Sequence, residues 1–145
     1  MKLYHGSKNG NLKTIKKQQA SAGKGIDVPK EELLEAIYLT PDYGFALACA
    51  ARPDGVSYIN ESPKTIEFEN PEVFNPDTEV YVYEIDVPDN EVRQIDGLQY
   101  VVENKNEIGI TQVFRHRAMD VAQYYELVNW KRENKEGTSP QFKIK

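Results

Sequence analysis

The stretch that most constrains the fold is VYVYEIDV at residues 80–87. β-branched and aromatic side chains suit a pleated surface, and the run is apolar at nearly every step until Glu84 and Asp86 bring alternation. It reads as a strand, with Pro88-Asp89-Asn90 turning the chain after it. Its counterpart is YGFALACAA at residues 43–51, apolar all round and therefore a buried helix. Thr40-Pro41-Asp42 starts that helix: Thr40 caps free amides, and Pro41 takes the first position, where no N–H is needed. Arg52-Pro53-Asp54-Gly55 ends it. One buried helix, with strands concentrated in the second half, predicts an α+β fold of helices packed on twisted, mainly antiparallel sheets.

The remaining elements are shorter. Residues 2–5 form a first strand, broken by the polar stretch 6–10. Residues 12–16 are extended, 18–27 a loop containing Gly23 and Gly25, 29–34 a helical turn behind Pro29, and 36–39 a strand. Residues 56–78, punctuated by Pro63, Pro71 and Pro76, wrap the surface, with a short strand at 65–68. Residues 91–94 form a weak strand, and 98–103 and 108–114 two more. Residues 118–136 read as a helix with Ala118, Val121, Ala122, Tyr125 and Val128 on one stripe. The chain of 145 residues is thus one domain over 1–136 and a polar basic tail over 137–145, with a late strand at 142–144. That length buries a core without disulfides.

Charge is unevenly placed. The net charge of −5 divides into +6 over residues 1–30, −14 over 31–130 and +3 over 131–145. An acidic body with basic ends is not the clustered basic face of a nucleic-acid binder. The basic stretch around residues 8–24 is either solvated surface or a rim that attracts a phosphate-bearing small molecule. A lone Cys49 excludes an intrachain disulfide, and without a Cys and His cluster no metal is expected. No apolar run is long enough to span a membrane and no signal-peptide pattern opens the chain, so a cytoplasmic protein without membrane contact is expected.

Three pieces carry candidate chemistry: LYHGS at 3–7, AIYLTPDYGFALACAA at 36–51 and LQYVV at 98–102. A histidine followed by glycine at a strand end can set a ring and a bare backbone against one ligand. Otherwise His5 is a satisfied, partly buried histidine and Gly6 turns the chain. In order and setting the three pieces resemble the ADP-ribosyltransferase superfamily, in particular its poly(ADP-ribose) polymerase-like branch. There a His-Gly-Ser or His-Gly-Thr ends the first strand, a Tyr precedes a helix on the second, and a Glu stands at a late strand.

The resemblance reaches to about residue 114. It implies an ADP-ribosyltransferase-like fold of two packed, mainly antiparallel twisted sheets with flanking helices, using NAD as substrate and no metal. It places His5 and Ser7 at the adenosine-side ribose, and the N–H and C=O of Gly6 at the carboxamide of the nicotinamide. Tyr38 lays its ring on the nicotinamide. Tyr43 is either a second ring over it or a packing aromatic. Gln99 falls where the family has its glutamate, completing a His5-Tyr38-Gln99 triad. A neutral amide keeps a hydrogen bond to a ribose hydroxyl but does not offset the positive charge that develops as the nicotinamide–ribose bond breaks. The difference of one charge-assisted hydrogen bond is worth about 1.5–3 kcal/mol. The activity implied is mono-ADP-ribosyl transfer to a protein or nucleic-acid acceptor. A nucleotide-binding module without turnover and a partner-binding structural protein are the alternatives. Family members of this size resemble bacterial or phage-type effectors and toxins, which implies a neutralising partner protein.

Several residues depart from that pattern or stand outside it. Ala36 replaces a family glycine, and Ala46 and Cys49 stand where a small hydroxyl residue and a second tyrosine are usual. Glu103 and Glu107 either supply the missing carboxylate or face solvent in a polar loop. Arg115-His116-Arg117 is a charged helix entrance or a phosphate contact. Glu84 and Asp86 share a strand face, as paired carboxylates or as one exposed acidic edge. Cys49, in an apolar helix without a neighbouring cation, is no nucleophile.

Overall fold

The computed structural model describes residues 1–19, 35–53 and 55–131. In chain order the elements are β1 (Lys2–Ser7), β2 (Thr14–Lys16), β3 (Gln18–Gln19), β4 (Glu35–Leu39), α1 (Tyr43–Ala51), β5 (Ser57–Glu61), β6 (Lys64–Phe68), β7 (Glu79–Asp86), β8 (Arg93–Gln94), β9 (Tyr100–Val102), β10 (Glu107–Gly109), β11 (Gln112–Arg117) and β12 (Glu126–Leu127). Short 3-10 turns cover Pro71–Val73, Asp89–Glu91 and Ala118–Gln123. The sheets run β1-β7-β11, β3-β4-β9-β8, β12-β6-β5 and β10-β2. All described pairings are antiparallel except β12 on β6. The class is α+β, with antiparallel sheets dominant and one α-helix among the described residues.

The near-continuous apolar run at 80–87 is explained by β7 lying between two partners and two cores. Val80 and Val82 face one core with Ala46, Leu47 and Ala50 of α1, joined by Ile66, Phe68, Val121 and Tyr125. Tyr83 and Ile85 face the other, with Leu3 of β1, Ile37 and Leu39 of β4, and Val102 of β9. Burying each of these aliphatic side chains stabilises the fold by about 1.5–3 kcal/mol before entropy is counted. Helix α1 is buried as its composition predicts, at Gly44, Ala46, Leu47, Ala48, Ala50 and Ala51. Its cap is Asp42, whose carboxylate accepts from the Phe45 N–H at 3.0 Å. Thr40, the expected cap, instead bridges to β1 and accepts the Asp42 N–H on its hydroxyl at 3.1 Å. At the other end the Lys8 ammonium donates to the Ala50 carbonyl at 2.8 Å and to that of Arg52.

Several expectations are corrected. The surface wrap over 56–78 contains a β5–β6 hairpin turned at the cis Ser62–Pro63 peptide. The strand over 108–114 is two strands in different sheets, β10 on β2 and β11 on β7. Arg115, His116 and Arg117 close β11 rather than opening a helix. Of the helix expected over 118–136, the described part to residue 131 is a single 3-10 segment to Gln123, after which the chain joins β6 as β12. Long-range bonds decide that last case: the Val128 N–H donates to the Ile66 carbonyl at 2.9 Å, and the Asn129 side chain accepts from the N–H and donates to the C=O of Phe68. The expected turn at 29–34, residues 20–27 of the expected loop, residues 132–136 of the expected helix and the tail at 137–145 lie outside the described residues, and Gln18 and Gln19, expected in the loop, form β3.

Candidate functional site

β1, β4 and β9, the strands that carry the three motif pieces, stand next to one another. β4 and β9 pair with Tyr38 opposite Val101 and Leu39 opposite Tyr100. β1 and β4 meet at one bridge, where Tyr4 and Thr40 exchange both backbone bonds, at 2.7 and 2.9 Å. Beyond it the strands part, and β3 takes the same edge of β4 farther along, at Ala36 and Glu35. The antiparallel register of the bridge, continued by two residues, sets Gly6 across from Tyr38.

Strand alternation fixes what faces this seam. The backbone groups of Tyr4 point at β4, so those of Gly6, two residues on, point into the seam, and His5 bonds to β7. The His5 Nδ1 lies 3.4 Å from the Tyr38 carbonyl oxygen. A carbonyl only accepts, so Nδ1 carries the proton and Nε2 is left as an acceptor. Burial lowers the His5 pKa below its usual 6.5, partly opposed by the bond to Tyr38, which keeps the ring neutral at pH 7. Gly6 also has a packing duty. A Cβ there would sit 1.9 Å from the Ala46 carbonyl oxygen and 3.1 Å from the Ala50 Cβ, so α1 could not approach β1.

His5 and Ser7 leave β1 on the face opposite Tyr4 and Gly6 and line a hollow of about 470 Å³. Asn9 and Asn11 and residues 13–16 complete much of its wall. Tyr83, almost wholly buried, holds that wall in place: its hydroxyl donates to the Asn9 carbonyl at 2.5 Å and accepts the Leu12 N–H at 3.2 Å. Lys13, Lys16 and the asparagines were not singled out as site residues from the sequence, although the basic N-terminal stretch was the available signal.

Tyr38 and Gln99 belong to the other face. Tyr38 shares its face with Val101, and alternation carried one residue before β9 puts Gln99 there too, as a diagonal neighbour of Tyr38. Both are half-buried. The structure therefore brings the backbone of Tyr38 to His5 and sets Tyr38 beside Gln99. It does not put the imidazole on the same face as the other two side chains, and neither Tyr38 nor Gln99 is among the described lining of the hollow. Glu103 is paired with Arg93 at 2.9 Å, which holds its carboxyl below the usual range. Glu107 accepts from the Thr14 hydroxyl at 2.9 Å.

Tyr43 stands above β1, β7 and β11. Its ring meets those of Tyr4, Phe114 and His116 edge-on, with centroids 5.2, 5.7 and 5.7 Å away. Its hydroxyl lies 2.6 Å from His116 Nε2, and His116 Nδ1 lies 2.9 Å from the Asp120 carboxylate. The carboxylate fixes the proton on Nδ1, so Nε2 accepts from the phenol. Burial, followed by the neighbouring Tyr124, Tyr4, Asp120 and Glu84, pushes the Tyr43 pKa up to about 12. The chain Tyr43–His116–Asp120 was not legible beforehand because Asp120 was expected inside a helix. Glu84, expected on an exposed edge, has a side chain only 14% exposed beside Lys2, whereas Asp86 is 78% exposed at the N-terminal amine. Burial raises the Cys49 pKa, and Arg52 opposes it, so the expected absence of a neighbouring cation is corrected.

Among the described residues no His, Cys, Asp and Glu gather in threes as a metal would need, and no helix is long and apolar enough to cross a membrane. Set against models of known protein families, curated proteins and solved structures, the chain matches none.

Proposed function

We propose that this chain is an ADP-ribosyltransferase-like domain that binds NAD at the seam between β1 and β4. The observation that carries the reading is the adjacency of the three motif strands, with β1 and β4 parting where Gly6 faces Tyr38. A ligand seated there meets a bare backbone from Gly6, the edge of Tyr38 and, on the far side, the hollow at His5 and Ser7. The carboxamide of the nicotinamide pairs with the Gly6 N–H and C=O, the Tyr38 ring covers the nicotinamide, and Gln99 accepts from or donates to a ribose hydroxyl. In transfer the bond from ribose C1′ to the nicotinamide nitrogen breaks, and the nicotinamide leaves with the electron pair. An acceptor oxygen or nitrogen then bonds C1′ and loses its proton to water. The acceptor class is a protein or nucleic acid.

A second reading, NAD binding without turnover, is favoured by one feature. Gln99 is uncharged, and both nearby acids are engaged elsewhere, Glu103 with Arg93 and Glu107 with Thr14. Two measurements separate the readings. Thermal melting with NAD and nicotinamide tests the site: at ten times Kd a ligand adds about 1.4 kcal/mol, or about 3–6 °C in Tm for a chain of this size. No shift at millimolar NAD rejects both readings. Nicotinamide release over hours then compares the parent with Gln99→Glu. A gain of about tenfold or more with the carboxylate supports transfer, and equal zero rates leave binding alone.

A further inference from the structure

β11 ends the β1-β7-β11 sheet, and among the described residues its outer side pairs with no strand. Strand alternation fixes which groups lie on that side. The Ala118 N–H donates to the Thr78 carbonyl at 2.8 Å, one pair beyond Arg117 opposite Glu79. In an antiparallel sheet the backbone turns to one neighbour and then the other at alternate residues. Phe114 and His116 therefore bond β7, while Val113, Arg115 and Arg117 turn their backbone groups outward. Arg117 agrees, since its N–H goes to the Asp120 carboxylate at 3.2 Å. The open ladder is thus the N–H and C=O of Val113 and of Arg115, with the C=O of Arg117.

An open ladder can template another strand, and charge on the edge decides which strands are turned away. Here that charge is of one sign. Val113, Arg115 and Arg117 share a face, where Val113 is 45% exposed and both arginines are exposed. Arg117 pairs with Asp77 at 3.7 Å, and Arg115 forms no ion pair among the described residues. Glu79, opposite Arg117, accepts from the Tyr81 hydroxyl at 3.0 Å. The other face carries Phe114 and His116, both half-buried against Tyr43.

We propose that the outer edge of β11 docks an extended, acidic segment of a partner protein as an added antiparallel strand. Its acids stand at alternate positions, opposite Arg115 and Arg117, and an apolar residue stands opposite Val113. Main-chain bonds to Val113 and Arg115 supply affinity, and the arginines select sign and register through charge-assisted bonds. A second copy is a poor occupant. Antiparallel pairing of two such edges about Arg115 sets arginine against arginine, and like charges directly opposite are destabilising.

Fluorescence anisotropy and amide hydrogen exchange on the full chain test this. The probe is a labelled peptide, acetyl-Thr-Glu-Val-Glu-Val-Val-Thr-amide. One control replaces both glutamates by lysine. A second keeps the charge but N-methylates both glutamates, whose amides would face β11. The expected result is binding of the probe with Kd below about 1 mM, weakened at least tenfold by N-methylation, and no binding of the lysine peptide. Arg115→Glu, an exposed substitution expected to melt with the parent, also weakens the probe at least tenfold. The Val113 and Arg115 amides exchange fast in the chain alone and slow down when the probe is added. No binding of the probe at about 1 mM, or equal binding by the N-methylated peptide or by Arg115→Glu, overturns the proposal. Amides of Val113 and Arg115 that are already slow without peptide overturn it too. The occupant is then a second copy if the protein sediments as a dimer, and another part of the same chain if it sediments as a monomer.

Discussion

Replacing Gly6 by alanine tests the packing of α1 on β1 directly. The added Cβ would lie 1.9 Å from the Ala46 carbonyl oxygen and 2.9 Å from its carbon. A carbon and a carbonyl oxygen in contact stand about 3.3 Å apart, so strand or helix must move by roughly 1.4 Å. The obstacle is backbone in the middle of a helix, and no rotamer change relieves it. Overpacking of a tight interior costs about 1–3 kcal/mol, and a backbone clash belongs at the upper end. The loss of unfolded-state freedom on going from glycine to alanine returns about 0.4–1 kcal/mol. A net loss of about 2–3 kcal/mol lowers Tm by about 4–12 °C in a chain of this length. Gly109→Ala is the control, since no atom lies within 4 Å of a Cβ there; its effect is expected within about 0.5 kcal/mol. Thermal melting followed by circular dichroism measures both. A Gly6→Ala protein that melts within 2 °C of Gly109→Ala would refute the close approach.

Three further outcomes are expected. Because burial depresses the His5 pKa, the unfolded chain takes up a proton from about pH 6.5 downward while the folded one resists, so stability falls as pH drops through that range. His5→Asn is expected to flatten the slope of Tm between pH 7 and pH 5, and an unchanged slope would count against a buried neutral ring. Tyr83→Phe removes the hydroxyl shared by Asn9 and Leu12 and is expected to cost about 1–2 kcal/mol. Urea denaturation measures it, and a stability equal to the parent's would show that the loop does not depend on that anchor. The Cys49 thiol, its pKa raised by burial, is expected to react with a disulfide reagent at pH 8 at least tenfold more slowly in the native protein than in denaturant. Equal rates would show that the half-buried thiol is open to the reagent.

What could be read ahead of the structure followed from local chemistry. β7 and α1 were legible because both are apolar almost throughout, and such segments have few options but to be central. The motif strands β1, β4 and β9 were found because each is short, apolar and bounded by polar or turn residues. The hairpin β5–β6 was missed because SYINE and KTIEF alternate with many polar side chains, and Pro63 looked like loop punctuation rather than a turn between strands. Of the stripe, Ala118, Val121 and Tyr125 are buried, whereas Ala122 and Val128 are exposed. The segment was read as a longer helix, because the pairing of β12 with β6 joins residues about sixty positions apart and leaves no local mark. In the candidate site, the relation of His5 to Tyr38 depends on where two strands separate, and no single strand's sequence records that. The side chain of His5 falls on the opposite face from those of Tyr38 and Gln99 for the same reason: the face each residue takes follows from the register of the Tyr4–Thr40 bridge.

That bridge has a geometric consequence. Two backbone hydrogen bonds, one each way between Tyr4 and Thr40, are the described backbone link joining β1 to β4, whereas β1 is stitched to β7 along its whole length. The rest of that joint is side chains: Leu3, Tyr83 and Ile85 of one sheet pack against Ile37, Leu39 and Val102 of the other. Apolar packing has no preferred direction, so the bridge is what fixes the register in which the two sheets meet.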